Sequence, residues 1–163
     1  MLFPAILVLE DGSVMEGIGF GSKQQSVGEI VFNTSMSGYQ EIITDPSYAK
    51  QIIAFTHPHI GNTGINDEDN ESDNIFASAI VIKDLPKNYS NWRANQSLES
   101  FLLSKNTIGI SNIDTRALTA KLREHGSLKA CIAPGGKESL SEANDALNHF
   151  SGLEGLDLAK EVS

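Results

Sequence analysis

Few residues of this chain have the type and spacing that covalent or metal chemistry needs. Cys131 is its one cysteine among 163 residues, and His57, His59, His125 and His149 are the bases available to activate a thiol. Cys131 lies in KACIAPGG, a stretch that reads as a buried strand. It lacks the tight strand-to-helix turn that lifts a nucleophile above a sheet. A cysteine so placed is a small hydrophobe with a raised pKa, and it leaves no internal disulfide or multi-cysteine zinc site to build. His57-Pro58-His59 puts two imidazoles on one face of an extended stretch, but no third metal ligand is evident. The acidic run has Asp67, Asp69 and Glu71 at the first three positions of a calcium loop. Ser72 then stands where glycine is needed and Ser78 where the bidentate glutamate belongs, so a solvated loop is expected. Gly17, Gly19 and Gly21 miss G-x-G-x-x-G and lead into no helix, which leaves a phosphate cradle unsupported. No catalytic constellation is complete, and neither a catalytic residue nor a metal ligand is expected in this chain.

One stretch stands apart, the sixteen residues NTSMSGYQEIITDPSY from Asn33 to Tyr48. A connection in a compact domain needs only about 4–6 residues. Long, ordered polar segments in small domains tend to carry function.

The elements that must position these groups follow from periodicity and punctuation. Ala5–Leu9 and Val14–Phe20 read as a hairpin about an Asp11-Gly12 two-residue turn. Further strands are expected at Glu29–Asn33, Gln51–Thr56, Phe76–Ile82, Thr107–Ser111 and Leu128–Ala133. Ser97 caps a short helix through Lys105. The next helix is capped by Asp114, stapled by Ile113 and Leu118, and stopped by Gly126, with Arg123 and His125 in its last turn. SLSE, Ser139 to Glu142, reads as the capping box of a final helix to His149. Strands come first, then strand and helix alternate, which argues an α+β or layered β/β/α single domain and not a doubly wound sheet.

A hydrophobic share of 40% lets a chain of this length bury a core without staples. The net charge of −9 offers no footprint for nucleic acid. The apolar run ending at Leu9 is too short to span a bilayer, and it has neither a preceding basic region nor a following small-residue cleavage site, so it is expected to be a buried strand. A cytoplasmic location, with no membrane and no nucleic-acid partner, is expected. The tail GLEGLDLAKEVS keeps Leu153, Leu156 and Leu158 at spacings suited to burial. It reads either as a docked terminal segment or as the run-up to a further domain beyond Ser163.

The block GEIVFNTSMSGYQEIITDPSYAKQIIAFTHPHIGNTGIN, Gly28 to Asn66, resembles the signature of the N-terminal domain of the small (glutaminase) subunit of carbamoyl phosphate synthetase. VLEDG near the start, IVIKDLP at Ile80–Pro86, IDTRALTAKLRE at Ile113–Glu124 and GLDLAKEVS at the end extend the resemblance over residues 1–163. It implies a layered β/β/α, swivelling-domain-like fold. It also implies a class I glutamine amidotransferase domain, with a Cys-His-Glu set, that follows this domain and is absent from this chain. In the family that domain hydrolyses glutamine, and ammonia is channelled to a large (synthetase) subunit. The large subunit makes carbamoyl phosphate from bicarbonate and ATP, with Mg or Mn, for arginine and pyrimidine biosynthesis. The implied partners are therefore the large subunit, the subunit's own C-terminal glutaminase domain and glutamine; no cofactor is bound by this domain.

The resemblance gives one site residue. The serine of the T-D-P-S-Y motif, here Ser47 within Thr44–Tyr48, is expected to help bind the substrate glutamine. A hydroxyl both donates and accepts, which suits the charged end of an amino acid. The resemblance also implies that Cys131 is not the family's nucleophile and that this domain alone is inactive. His57 stands where the family often has Tyr before the proline, and no role attaches to it. The reading from another class is a stand-alone binding module using the 33–48 segment or the acidic 67–73 loop.

Overall fold

The computed structural model describes residues 1–35, 39–56, 74–85 and 97–150. Among these described residues, seven strands form one closed barrel: β1 (Phe3–Leu9), β2 (Val14–Gly21), β3 (Ser26–Asn33), β4 (Gln51–Phe55), β5 (Ala79–Val81), β6 (Ile108–Ser111) and β7 (Leu128–Pro134). Their order around the wall is β1-β2-β6-β5-β4-β3-β7. Four neighbours, β3, β4, β5 and β6, run parallel, and the remaining pairs are antiparallel. β7 closes the wall by pairing with β1 on one side (Leu7↔Ile132) and β3 on the other (Gly28↔Ala130).

Alternation along the strands divides the core. Phe3, Ala5, Leu7 and Leu9 of β1 point inward with Ile30, Ile52, Ala54, Val81, Ile108, Ile110, Ala130 and Ile132. The opposite faces of the same strands carry apolar residues that the helices cover. Ile6, Val8, Cys131 and Ala133 pack beneath α4 (Leu140–His149), through Ala143 and Leu147. Phe20, Ile53, Phe55, Ile80 and Ile82 pack beneath α1 (Tyr39–Ile43) and α2 (Leu98–Ser104). Strands buried on both faces are expected to read as continuous apolar runs, as FPAILVL and QIIAF do. The barrel interior also needs space at β2. A Cβ on Gly19 would lie 2.2 Å from the Phe3 ring, and one on Gly17 would lie 2.5 Å from the Ser111 carbonyl oxygen. Both glycines are sites of close approach, as expected.

The third helix, α3 (Thr115–His125), sends Leu118 and Leu122 into the barrel-interior cluster. Asp114 caps it as expected, its Oδ1 accepting from the Ala117 amide at 3.0 Å. Ile113 and Leu118 are both buried in that cluster, and Gly126 ends the helix at φ +78°. The Ser97 cap also forms, with Oγ accepting from the Ser100 amide at 3.1 Å.

Three local expectations are corrected. The hairpin does not turn on two residues. The Leu9 amide donates to Ser13 O at 2.9 Å, which leaves Glu10, Asp11 and Gly12 as a three-residue loop with Gly12 at φ +94°. Gly12 takes the left-handed position that such loops need. The Ser139 capping box does not form either. Its Oγ donates to the Pro134 carbonyl at 2.7 Å, and its backbone is already helical at φ −90°, ψ −4° in a 3-10 turn over Lys137–Ser139. Finally, the Phe76–Ile82 strand is ladder-paired only over Ala79–Val81.

Lys121 on α3 donates to Asp11 Oδ2 at 2.9 Å, tying the helix to the β1–β2 loop. The Lys121 hydrogen bond, aided by the Ser13 amide, lowers the Asp11 carboxyl from 3.8 to about 2. A folded-state pKa below the unfolded value contributes stability above pH 3.8, and that stability is lost as the pH falls through about 2. Urea denaturation between pH 4 and 2 should therefore show wild-type stability falling more steeply than that of Asp11→Asn. Parallel slopes for the two proteins would show that the pair contributes nothing to folding.

Candidate functional site

The Asn33–Tyr48 segment is more structured than a polar connection. It leaves the carboxyl end of β3, forms the short helix α1, and ends in a 3-10 turn over Pro46–Tyr48. Tyr39 and Ile43 are buried against β4 and β5, and Ile42 and Tyr48 pack against the same cluster. The apolar residues of an apparently polar stretch therefore anchor it to the barrel wall. Thr44, fully buried, donates through Oγ1 to Gln40 O at 2.9 Å and so satisfies its hydroxyl.

Every backbone feature around Ser47 has a visible cause. Asp45 Oδ1 accepts from the Ser47 amide at 2.9 Å, an Asx turn that also caps the 3-10 turn. Pro46 sets φ at the first position of the turn. Amides of Tyr48 and Ala49 donate to Asp45 O and Pro46 O, each at 3.1 Å. The Tyr48 hydroxyl accepts from Asn33 Nδ2 at 3.2 Å, pinning the far end of the turn to the end of β3. Asn33 Oδ1 in turn accepts from the Ser35 amide at 2.8 Å, and Asn33 O accepts from the Thr56 amide at 3.1 Å. Lys50 follows with φ +65°, turning the chain into β4.

Ser47 itself is exposed, and its hydroxyl has no hydrogen-bond partner among the described residues. A rigid turn thus holds out a hydroxyl whose donor and both acceptor positions are free for a ligand. Asn33 and Tyr48 support this turn from behind, a role that sequence reasoning missed. Both lie inside the segment singled out above, but nothing in their spacing shows that residues fifteen apart meet.

Cys131 is fully buried on the outer face of β7, under α4. Burial pushes its thiol up to about 12. Among the described residues no histidine is brought to it: His125 ends α3, and the ring of His149 lies against Asp145 O at 2.7 Å. His57, His59 and the acidic run Asp67–Asp73 lie outside the described residues. Among the described residues no group of three or more His, Cys, Asp or Glu side chains could hold a metal. No described helix is long and apolar enough to cross a membrane.

Comparison with known proteins places this geometry. Residues 7–132 match the family described as carbamoyl-phosphate synthase small chain, CPSase domain. The carbamoyl phosphate synthase small chain of Vibrio parahaemolyticus is 55% identical over 159 residues, covering 98% of this chain and 42% of its own length. That of Pseudomonas aeruginosa is 52% identical over all 163 residues, or 43% of its own length. The Haemophilus ducreyi small chain is 54% identical and covers 100% of this chain and 44% of its own. The chain belongs to the carbamoyl-phosphate synthase small chain family, and it spans less than half the length of these curated relatives. Among solved structures, an aminopeptidase from Aneurinibacillus sp. strain AM-1 overlays 83% of this chain at a TM-score of 0.46 and 16% identity, too slight a likeness to bear on function.

A thiol held neutral by burial should not react at neutral pH. Cys131 is expected to resist a disulfide-exchange reagent in the native protein and to react at once in denaturant. Rapid labelling of the native chain would show that β7 is open and that the thiol is available for chemistry.

Proposed function

We propose that this chain acts as the N-terminal domain of the glutamine-hydrolysing subunit of carbamoyl phosphate synthetase. In this reading it completes the glutamine site from the outside, through Ser47, and docks the large subunit. Membership of the family over nearly the whole chain carries the proposal. The rigid turn that presents an unpartnered Ser47 hydroxyl supports the assignment of that residue.

The chemistry asked of Ser47 is binding. Its hydroxyl would donate to the α-carboxylate of glutamine or accept from its α-ammonium, and the Asx turn behind it would limit the entropy lost on binding. The nucleophile, its base and the water that completes hydrolysis belong to a glutaminase domain outside this chain. Cys131, buried and neutral, is unsuited to replace them, so the domain alone is proposed to release no ammonia. ATP and its divalent metal, Mg or Mn, are assigned to the large subunit, and the assembled enzyme to the cytoplasm and to arginine and pyrimidine biosynthesis. The layered β/β/α description of the domain is carried forward with this proposal, opposite walls of the barrel counting as two β layers.

The test is made in the assembled enzyme. Losing a hydrogen bond to a charged partner costs about 1.5 kcal/mol or more, so Ser47→Ala should weaken glutamine binding by about tenfold or more. Folding stability should change by less than about 0.5 kcal/mol, because the side chain is exposed. A glutamine KM identical to wild type would remove Ser47 from the site.

A further inference from the structure

The carboxyl ends of the four parallel strands converge on a cavity of 370 Å³ that the glutamine reading leaves unused. Thr34 follows β3, Thr56 follows β4, Lys83 follows β5, and Asp114 and Thr115 open α3 just after β6. The crevice beyond the carboxyl ends of parallel strands is where open α/β sheets bind ligands, because helix N-termini and loop amides gather there. Arg116, Thr119, Ala120 and Arg123, at successive i, i+3, i+4 and i+7 positions, make one wall of the cavity from a single face of α3.

Its electrostatics are opposite to those of the chain as a whole. Lys83, Arg116 and Arg123 all line the cavity, and none forms an ion pair among the described residues. Arg123 instead lies over the Phe32 ring, 5.5 Å from its centroid, which holds the guanidinium in place. Asp114 is the one carboxylate among the described lining residues, and its Oδ1 is engaged by the Ala117 amide. Among the described lining residues, three cations against one carboxylate leave two net positive charges, in a protein whose overall charge is −9. The first amides of α3 add to this field, since they have no intrahelical acceptor.

Thr115 is the most telling residue. It is only 3% exposed, yet its Oγ1 has no hydrogen-bond partner among the described residues. No buried side-chain oxygen is left unsatisfied and sealed from solvent, so this hydroxyl reaches accessible space, and the space its residue lines is the cavity. Its neighbour Thr119, by contrast, spends its hydroxyl on Thr115 O at 2.7 Å. A nearly buried side chain that keeps its hydroxyl without a partner, in a cavity that cations also line, is a binding group awaiting an acceptor.

We propose that this cavity is a binding site for a phosphate group. Arg116 and Arg123 supply the planar forks that match its oxygens, Lys83 supplies a point charge, and Thr115 Oγ1 and the first amides of α3 donate from the cavity floor. A phosphate dianion balances the two net charges; a single carboxylate leaves one uncompensated. The site is separate from Ser47, and its test is independent of the glutamine reading.

The experiment is a titration of the 163-residue chain with inorganic phosphate at low ionic strength, followed by amide chemical shifts, with sodium acetate as the control. Shifts should concentrate on Thr115, Arg116 and Ala117 and on Thr34 and Thr56, saturate with phosphate, and respond far less to acetate. Arg116→Gln should weaken phosphate binding about tenfold, as expected for loss of a charge-assisted pair. Thr115→Val, which keeps the side-chain shape, should weaken it to a lesser degree. The wild-type shift map requires no variant to fold. Absence of localised shifts at tens of millimolar phosphate, an equal response to acetate, or undiminished binding by Arg116→Gln would each overturn the proposal.

Discussion

Closure of the barrel by β7 is the constraint on which the rest of the structure depends. One seven-residue strand satisfies the outer edges of two others, β1 and β3. Without it the remaining strands would form a sheet with two open, strongly apolar edges. Closure also turns alternate residues of each strand into an interior that must be filled. Phe3 and the helical residues Leu118 and Leu122 do that filling, and Gly17 and Gly19 leave them room. The faces turned outward are equally apolar, so the helices are required by the same closure that makes the core.

The two proposed sites follow from the ends of the parallel run. β3 to β6 point the same way, so the segments that follow them emerge together. One of these segments is the Asn33–Tyr48 stretch, which folds back on the wall through Tyr39, Ile43 and Tyr48 and holds Ser47 out. Another is α3, whose capped N-terminus faces the basic cavity. At these ends stand a hydroxyl on a fixed turn and a cluster of cations, the one without a hydrogen-bond partner and the other without an ion pair among the described residues. Each is held by residues whose own bonds are complete.

Much of this was legible in the sequence where signals are local. The Asp114 cap, the Ile113–Leu118 staple, the Ser97 cap and Gly126 act over a few residues, and each appears as read. The interiors of the strands were legible because burial on both faces writes a continuous apolar run. Signals failed where a tertiary contact outbid a local one. Ser139 preferred the Pro134 carbonyl to its capping role, and the Asp11 loop took a third residue so that Gly12 could sit at positive φ. The Asn33–Tyr48 stretch read as polar because its few anchoring apolar residues are spaced to meet β4 and β5, not to mark a regular element of their own. The cavity was invisible for a related reason: its residues come from after four strands, and only the 116-119-120-123 spacing on α3 hinted at a common face.

The long-range closure also has a consequence in time. Leu9 of the first strand pairs with Ala130 of the last, about 120 residues later. At synthesis rates of about 5–20 residues per second, roughly 6–24 s pass between the two leaving the ribosome. During that interval FPAILVL can have its partner β2 but not its partner β7, and an apolar strand edge stands open in a crowded compartment. Such a nascent chain presents the open apolar edge that makes unfinished folds prone to aggregation. Its yield should depend on how quickly the last third of the chain is translated, more than on the stability of the finished barrel.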